Sequence, residues 1–274
     1  MRLSGRVAVV TGGAGGIGTA LARRFAAEGA AGIVVADLNG TAAERVAASI
    51  GPAATAAAVD VTDEEQVRGL VTAAEHRYGR IDLFCANAGV TAGAGIEAPD
   101  EMWERTWSVN VLAHVYAARR VLPGMLARGE GYLLHTCSAA GLLTAVGDAP
   151  YTVTKHAALG FAEWLAITYR DRGVRVSALC PQGVRTPMLT EGLAAGHVGA
   201  LVTAASGAVL DPDKVADAVV DGLAAERFLI LPHPEVAAYV RRKAEDPDGW
   251  LAAMRGLARR VGQQSRPDDS PAPA

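Results

Sequence analysis

The sequence is poor in cysteine and lysine and has no long apolar run, and each scarcity removes a class of function. Cys85, Cys137 and Cys180 are odd in number, widely spaced and without a CxxC pair. That pattern points to buried small side chains in a reducing compartment rather than to a disulfide framework. No His and Cys cluster has zinc-ligand spacing, so no metal is expected. The apolar runs are short and broken by Gly, Arg or Asp, which argues against a membrane-spanning helix. The opening Met1-Arg2-Leu3-Ser4-Gly5-Arg6 lacks a signal peptide's apolar centre, and the expected location is cytoplasmic. A formal net charge of −3 and a pI near 6.1 leave no basic field for nucleic acid. Basic residues number 26, yet lysine stands only at Lys155, Lys214 and Lys243. Where a chain that writes arginine almost everywhere keeps a lysine, a compact ammonium is the feature to look for.

What is present is a regular alternation. At 274 residues, 50% of them hydrophobic, the chain can bury a sizeable core. Strand-length apolar runs at Val7–Thr11, Ile33–Ala36, Thr55–Val59, Ile81–Cys85, Tyr132–Thr136, Val174–Leu179 and Phe228–Leu231 alternate with helical patterns. Those helices are expected over Thr19–Glu28, Ala42–Ser49, Asp63–Tyr78, Glu101–Leu126, Tyr151–Tyr169 and Asp213–Ala225, with Thr62 as the cap before Asp63. Repeated βα units argue for an α/β fold, a parallel sheet covered by helices on both faces. With no linker between units, a single domain over 1–262 is expected, and a mobile tail over 263–274, which is rich in Pro, Ser and Asp.

Two stretches carry chemistry. Gly12-Gly13-Ala14-Gly15-Gly16-Ile17-Gly18 follows a strand and opens a helix, the context a nucleotide-binding glycine loop needs. Gly12 permits the turn, Gly16 a close approach to a pyrophosphate, and Gly18 close helix packing. The next strand ends in Asp37, placed to accept from ribose hydroxyls and to repel a 2′-phosphate. Leu38 follows it and no Arg or Lys lies within the loop, so NAD is the expected cofactor rather than NADP. The second stretch is Pro150-Tyr151-Thr152-Val153-Thr154-Lys155. Tyr151 and Lys155 share one helix face, where a nearby ammonium brings a phenol's pKa down towards working pH. Ser138 ends the strand before them, on the sheet edge where ligands of open parallel sheets bind. His114 and His135 read as hydrogen-bonded packing residues.

Thr11-Gly12-x-x-x-Gly16-x-Gly18, Asn87-Ala88-Gly89, Ser138 and Tyr151-x-x-x-Lys155 together resemble the short-chain dehydrogenase/reductase family, from about Arg6 to Leu231. The resemblance implies a single-domain, Rossmann-like, doubly wound sheet of seven parallel strands. It implies Asn110, Ser138, Tyr151 and Lys155 as the catalytic set, with Lys155 also bonding the nicotinamide ribose and Asn110 interrupting its helix to hold a water. It places Ile17, Leu38, Asp60, Val61, Asn87, Ala88 and Gly89 against the cofactor. After the sixth strand it adds Pro181, Gly183, Val184 and Thr186, near the carboxamide. Departures are Ala86, where the family usually has a second Asn, and Gln182, where it has Gly. Gln182 is open to a substrate contact, beside Ser138 and Tyr151.

The implied reaction is hydride transfer between an apolar secondary alcohol or ketone and NAD, with Tyr151 as general base in oxidation and general acid in reduction. The alternatives are an NADPH-dependent carbonyl reductase of 3-oxoacyl type, opposed by Asp37, and a non-catalytic NAD-binding protein. A cover at about 186–210 and a wall of Leu142, Leu143 and Val146 are expected around the small-molecule substrate. The segment from Pro232 to Leu257 is expected to pack either on the substrate side or on a neighbouring subunit. Apolar faces on Val109–Leu122 and Ala157–Tyr169 suggest a homodimer or homotetramer.

Overall fold

The structure is a computed structural model that describes residues 1–264. Strands β1 (Val7–Thr11), β2 (Gly32–Asp37), β3 (Ala54–Ala58), β4 (Leu83–Ala86), β5 (Gly131–Thr136), β6 (Val174–Leu179) and β7 (Leu229–Ile230) form one sheet. Its order is β3-β2-β1-β4-β5-β6-β7, with every neighbouring pair parallel. This is the seven-stranded, doubly wound, Rossmann-like sheet that the sequence implies. Strands β1, β4 and β5 are buried along their whole length, which is why they read as unbroken apolar runs instead of alternating patterns.

Helices cover both faces. On one, Val9, Phe84 and Leu133 pack against α3 (Glu64–Tyr78), α5 (Ala113–Arg128) and α7 (Ala149–Tyr169). On the other, Val10, Leu83 and Leu134 meet α1 (Gly16–Ala27), α2 (Gly40–Ile50) and α10 (Pro212–Ala224). The strand order reverses between β1 and β4, so the C-terminal ends of these two strands open a crevice, the usual ligand position in such sheets.

Several boundaries differ from the sequence reading. Helix α1 begins inside the glycine loop at Gly16 instead of Thr19. Asp63, not Thr62, caps α3: its Oδ1 accepts the amides of Glu65 and Gln66, while the Thr62 hydroxyl donates to Asp60. The helix expected over 101–126 is two helices, α4 (Asp100–Trp107) and α5, joined by a π-helical turn at Ser108–Leu112. Short helices α6 (Ala140–Leu143), α8 (Pro187–Ala194) and α9 (Val198–Ala205) lie in stretches read as loop or cover. Two more, α11 (Glu235–Glu245) and α12 (Pro247–Gln264), follow the sheet. Of the tail expected over 263–274, residues 263–264 end α12 and 265–274 lie outside the described residues.

Candidate active site

The glycine loop sits at the β1 end of the crevice. Gly12 has φ +60°, and a Cβ on Gly18 would stand 2.0 Å from the Gly12 carbonyl oxygen, so a side chain fits at neither position. A Cβ on Gly16 would meet Thr186 Cγ2 at 2.6 Å, which brings the loop after β6 directly against the glycine loop. No side chain caps α1, so its first amides face the cleft with their partial positive charge. A cradle of this kind, rich in glycine and uncapped, fits the phosphates of a dinucleotide.

Asp37 closes the next position. Its Oδ2 accepts from the Ala14 amide at 3.0 Å and its Oδ1 from the Asn39 amide at 3.0 Å, so the carboxylate is held at the edge of the glycine loop. Leu38 beside it is 73% exposed. Asp60 accepts from the Thr62 amide and hydroxyl, and Asp60 and Val61 both line the cleft. Asn87 ties three strands together: its Nδ2 donates to the Thr11 and Gly12 carbonyls, and its Oδ1 accepts from the Thr136 hydroxyl at 3.0 Å.

The β5 end of the crevice is built from β5, α7 and the π turn. Ser138 leaves the end of β5 buried, its Oγ accepts the Ala140 amide at 3.0 Å, and it faces the Tyr151 hydroxyl. Lys155 is buried and donates to the Thr136 carbonyl at 3.0 Å, with Nζ 5.6 Å from the Tyr151 ring centre. Asn110 exchanges two hydrogen bonds of 2.9 Å with the Val90 backbone and donates to Thr154 Oγ1. A Cβ on Gly89 would lie 3.3 Å from both Asn110 Oδ1 and Lys155 Nζ, so the Asn-Ala-Gly turn packs directly on Lys155.

The proton affinities correct one expectation. Tyr151 is partly exposed along the cleft, yet it lies deep enough that burial pushes its phenol up to about 12, with the Ser138 hydroxyl pulling the other way. The helical spacing alone predicts a phenol lowered by Lys155. In this structure the ammonium is turned to the Thr136 carbonyl, and burial lowers its own pKa.

One continuous cleft of about 970 Å³ joins these groups. It is lined by all the sequence-derived cofactor positions and by Ser138, Tyr151, Lys155 and Gln182. Asn110 stands behind this lining and contacts it through Gly89. At the substrate end Leu143 and Val146 line the wall as expected, whereas Leu142 turns away to pack under α11. From α8 and α9 come Leu189, Ala200 and Val202; from α11 and α12 come Tyr239, Trp250, Met254 and Leu257. Residues of the segment after 232 therefore line this cleft.

Two supporting residues stand outside the set drawn from the sequence. Asp148, buried, caps α7 by accepting the Tyr151 amide through Oδ1, while its Oδ2 takes the amides of Ala92 and Gly93 and the Thr91 hydroxyl. His233, also buried, accepts the Gln182 amide at Nδ1, and its Nε2 faces the carbonyls of Gly183 and Ala208. The signal at Asp148 was an acidic residue two before Pro150 at a helix start, a capping pattern. His233 lies 50 residues from the loop it fixes, and no local pattern announces it.

His114 and His135 hydrogen-bond each other through Nδ1 at 2.9 Å, buried and stacked, which bears out the packing reading. Among the described residues no group of three metal-ligating side chains occurs, and no helix is long and apolar enough to cross a membrane.

The glycine loop, the Asp37 carboxylate at its edge and the Ser138, Tyr151 and Lys155 side chains lining one cleft are the arrangement of a nucleotide-dependent oxidoreductase. The sequence pattern described as short chain dehydrogenase matches residues 6–195. A 1-deoxy-11-beta-hydroxypentalenate dehydrogenase of Streptomyces exfoliatus is 40% identical over 257 residues, covering 91% of this chain and 90% of the relative. A 3beta-hydroxysteroid dehydrogenase 2 of Eggerthella lenta is 35% identical over 190 residues, 67% of this chain and 73% of that one. Among solved structures, a short chain dehydrogenase/reductase of Burkholderia phymatum in complex with NAD superposes with TM-score 0.83 at 30% identity, covering 90% of this chain and 96% of the other. The chain belongs to the short-chain dehydrogenase/reductase family. It is an oxidoreductase acting on hydroxyl or keto groups of a small-molecule substrate.

Proposed function

We propose that the protein is an NAD-dependent dehydrogenase of a bulky, largely apolar secondary alcohol, with Tyr151 as its proton-transfer group. The observation that carries this reading is the single cleft holding Asp37 at one end and Ser138, Tyr151 and Lys155 at the other. Asp37 has no ion-pair partner among the described residues, so a 2′-phosphate would meet an uncompensated carboxylate. The exposed Leu38 beside it offers apolar surface to an adenine. The dinucleotide is held by Gly12, Gly16, Ile17, Gly18, Asp37, Asp60, Val61, Asn87, Ala88, Gly89, Pro181, Gly183, Val184 and Thr186, and supplies the hydride acceptor or donor.

The chain's own residues do the rest. Ser138 holds the substrate oxygen by hydrogen bond, and Tyr151 takes its proton in oxidation or returns it in reduction. A phenol pushed up to about 12 suits the acid role as it stands; the base role needs positive charge close by, which Lys155 provides when its ammonium approaches the phenol. Asn110 and Thr136 fix Lys155 from behind, through Gly89 and a carbonyl. Leu143, Val146, Leu189, Trp250 and Met254 favour an apolar carbon skeleton. The names of the relatives, for a hydroxypentalenate and a 3β-hydroxysteroid, agree with such a substrate. We read residues 1–262 as one domain working in the cytoplasm, with 186–210 covering the substrate. Self-association is through α5 and α7, and on α7 Trp164 and Ile167 are exposed at 53% and 83%.

The test is a panel of alicyclic and linear secondary alcohols, each run with NAD and with NADP while the absorbance of reduced nicotinamide is followed. Turnover confined to NAD is expected. Equal or faster turnover with NADP would overturn the cofactor assignment, and none with any alcohol would leave a nucleotide-binding protein without catalysis.

A further inference from the structure

Two of the three cysteines are neighbours at the end of the sheet that carries the chemistry. Strands β5 and β6 run in register to Thr136 and Leu179, and one residue further stand Cys137 and Cys180. The pairing continues beyond them, because the Ala139 amide donates to the Pro181 carbonyl at 2.8 Å. Both side chains belong to the core layer under α7, and both are buried without a disulfide. The neighbouring Cys180 thiol and burial push the Cys137 thiol well above its ordinary value, and the Lys155 ammonium pulls it the other way. Neighbouring strands lie about 4.8 Å apart. That separation falls inside the roughly 4.4–6.8 Å that a disulfide spans between Cα atoms. Cys137 also borders the cleft, which gives a small oxidant a short path to it from solvent.

We propose that Cys137 and Cys180 form an oxidisable dithiol, a modification site that a hydroperoxide converts to a disulfide with reversible loss of turnover. The step balances with the peroxide as the two-electron oxidant. Sulfur of one cysteine attacks the peroxide, its O–O bond breaks, and a sulfenic acid and one molecule of water (or alcohol, for an organic peroxide) result. The second thiol attacks that sulfur, the S–S bond forms, and the sulfenic oxygen leaves as water with the remaining protons. Two thiols are oxidised and one peroxide is reduced.

The effect on catalysis follows from what is attached. A disulfide draws the two sulfurs to about 2.05 Å. Cys137 precedes Ser138, and Cys180 precedes Pro181 and Gln182, so closure moves the serine and the loop beside it together. Cys85 provides an internal control. It lies in the opposite core layer, away from the pair, and its complete burial raises its thiol pKa.

The experiment treats the full-length protein with hydrogen peroxide, then measures intact mass, thiol labelling under denaturing conditions and turnover before and after dithiothreitol. The expected product is about 2 Da lighter, joins Cys137 to Cys180, leaves Cys85 labelled, and is at least about tenfold less active until reduced. Cys137→Ala and Cys180→Ala, each compared with its own untreated sample, are both expected to lose the 2 Da change and to keep their activity through the treatment. Absence of the linked peptide, a linked protein that retains full turnover, or an inactivation that persists in Cys180→Ala would each overturn the proposal. The peptide map is read without any substrate, so it stands apart from the choice of alcohol.

Discussion

The backbone amide of Tyr151 donates to Asp148 Oδ1 at 3.0 Å, while the other carboxylate oxygen of Asp148 gathers the amides of Ala92 and Gly93. One buried side chain thus starts α7 and anchors the turn after Asn-Ala-Gly. Asp148→Ala removes the helix cap and leaves buried donors unpaired, at a cost of about 1–3 kcal/mol. Urea unfolding is expected to show that loss, together with a lower turnover number, because the position of Tyr151 depends on the same bond.

Tyr151→Phe keeps the ring and removes the hydroxyl proposed to carry the proton. Turnover is expected to fall about 10²–10⁴-fold. Binding of NADH, followed by nicotinamide fluorescence, is expected to stay within a small factor of the parent. A variant with near-normal turnover would place the acid–base group elsewhere.

Asp37→Ala removes the charge that opposes a 2′-phosphate. The ratio of kcat/KM for NAD to that for NADP is expected to drop at least tenfold, equivalent to about 1.4 kcal/mol. Because Asp37 also accepts the Ala14 amide, some loss with NAD itself is expected too.

The His114–His135 pair gives the fold an acid-sensitive element. Burial holds both imidazoles neutral, lowering His135 to about 4 and His114 well below its usual value. In the unfolded chain both take up protons near pH 6.5, so the unfolded state binds more protons between about pH 4 and 6.5. Stability therefore falls as pH falls through that window, by about 3 kcal/mol for His135 at most. Thermal melts of the parent and of His135→Gln across pH 4–7 check this: the variant is expected to have the flatter dependence.

The parts of this site that rest on local chemistry were legible in the sequence. β-branched runs marked the strands, and the positive-φ Gly12 and the i,i+4 pair of Tyr151 and Lys155 need only a few residues to be seen. Helices α8 and α9 were not seen because their Ala-, Gly- and Leu-rich stretches carry little periodic contrast between polar and apolar faces. Thr62 and Asp63 are adjacent candidates for one cap, and Asp60 decided between them by engaging the threonine hydroxyl. The raised phenol of Tyr151 and the grip of His233 on the Gln182 loop depend on burial and on partners far along the chain. Neither is written in a spacing.

The π turn at Ser108–Leu112 acts as a phase shifter in a long rod. An α-helix advances about 100° per residue, so a single extra residue in one turn rotates everything beyond it by that amount. Asn110 can therefore face Val90 and Thr154 while Ala117, Val121 and Met125, further on, still face the sheet. Two orientations that a straight helix would have to trade against each other coexist, and the geometry of the site and the packing of the core become separately adjustable.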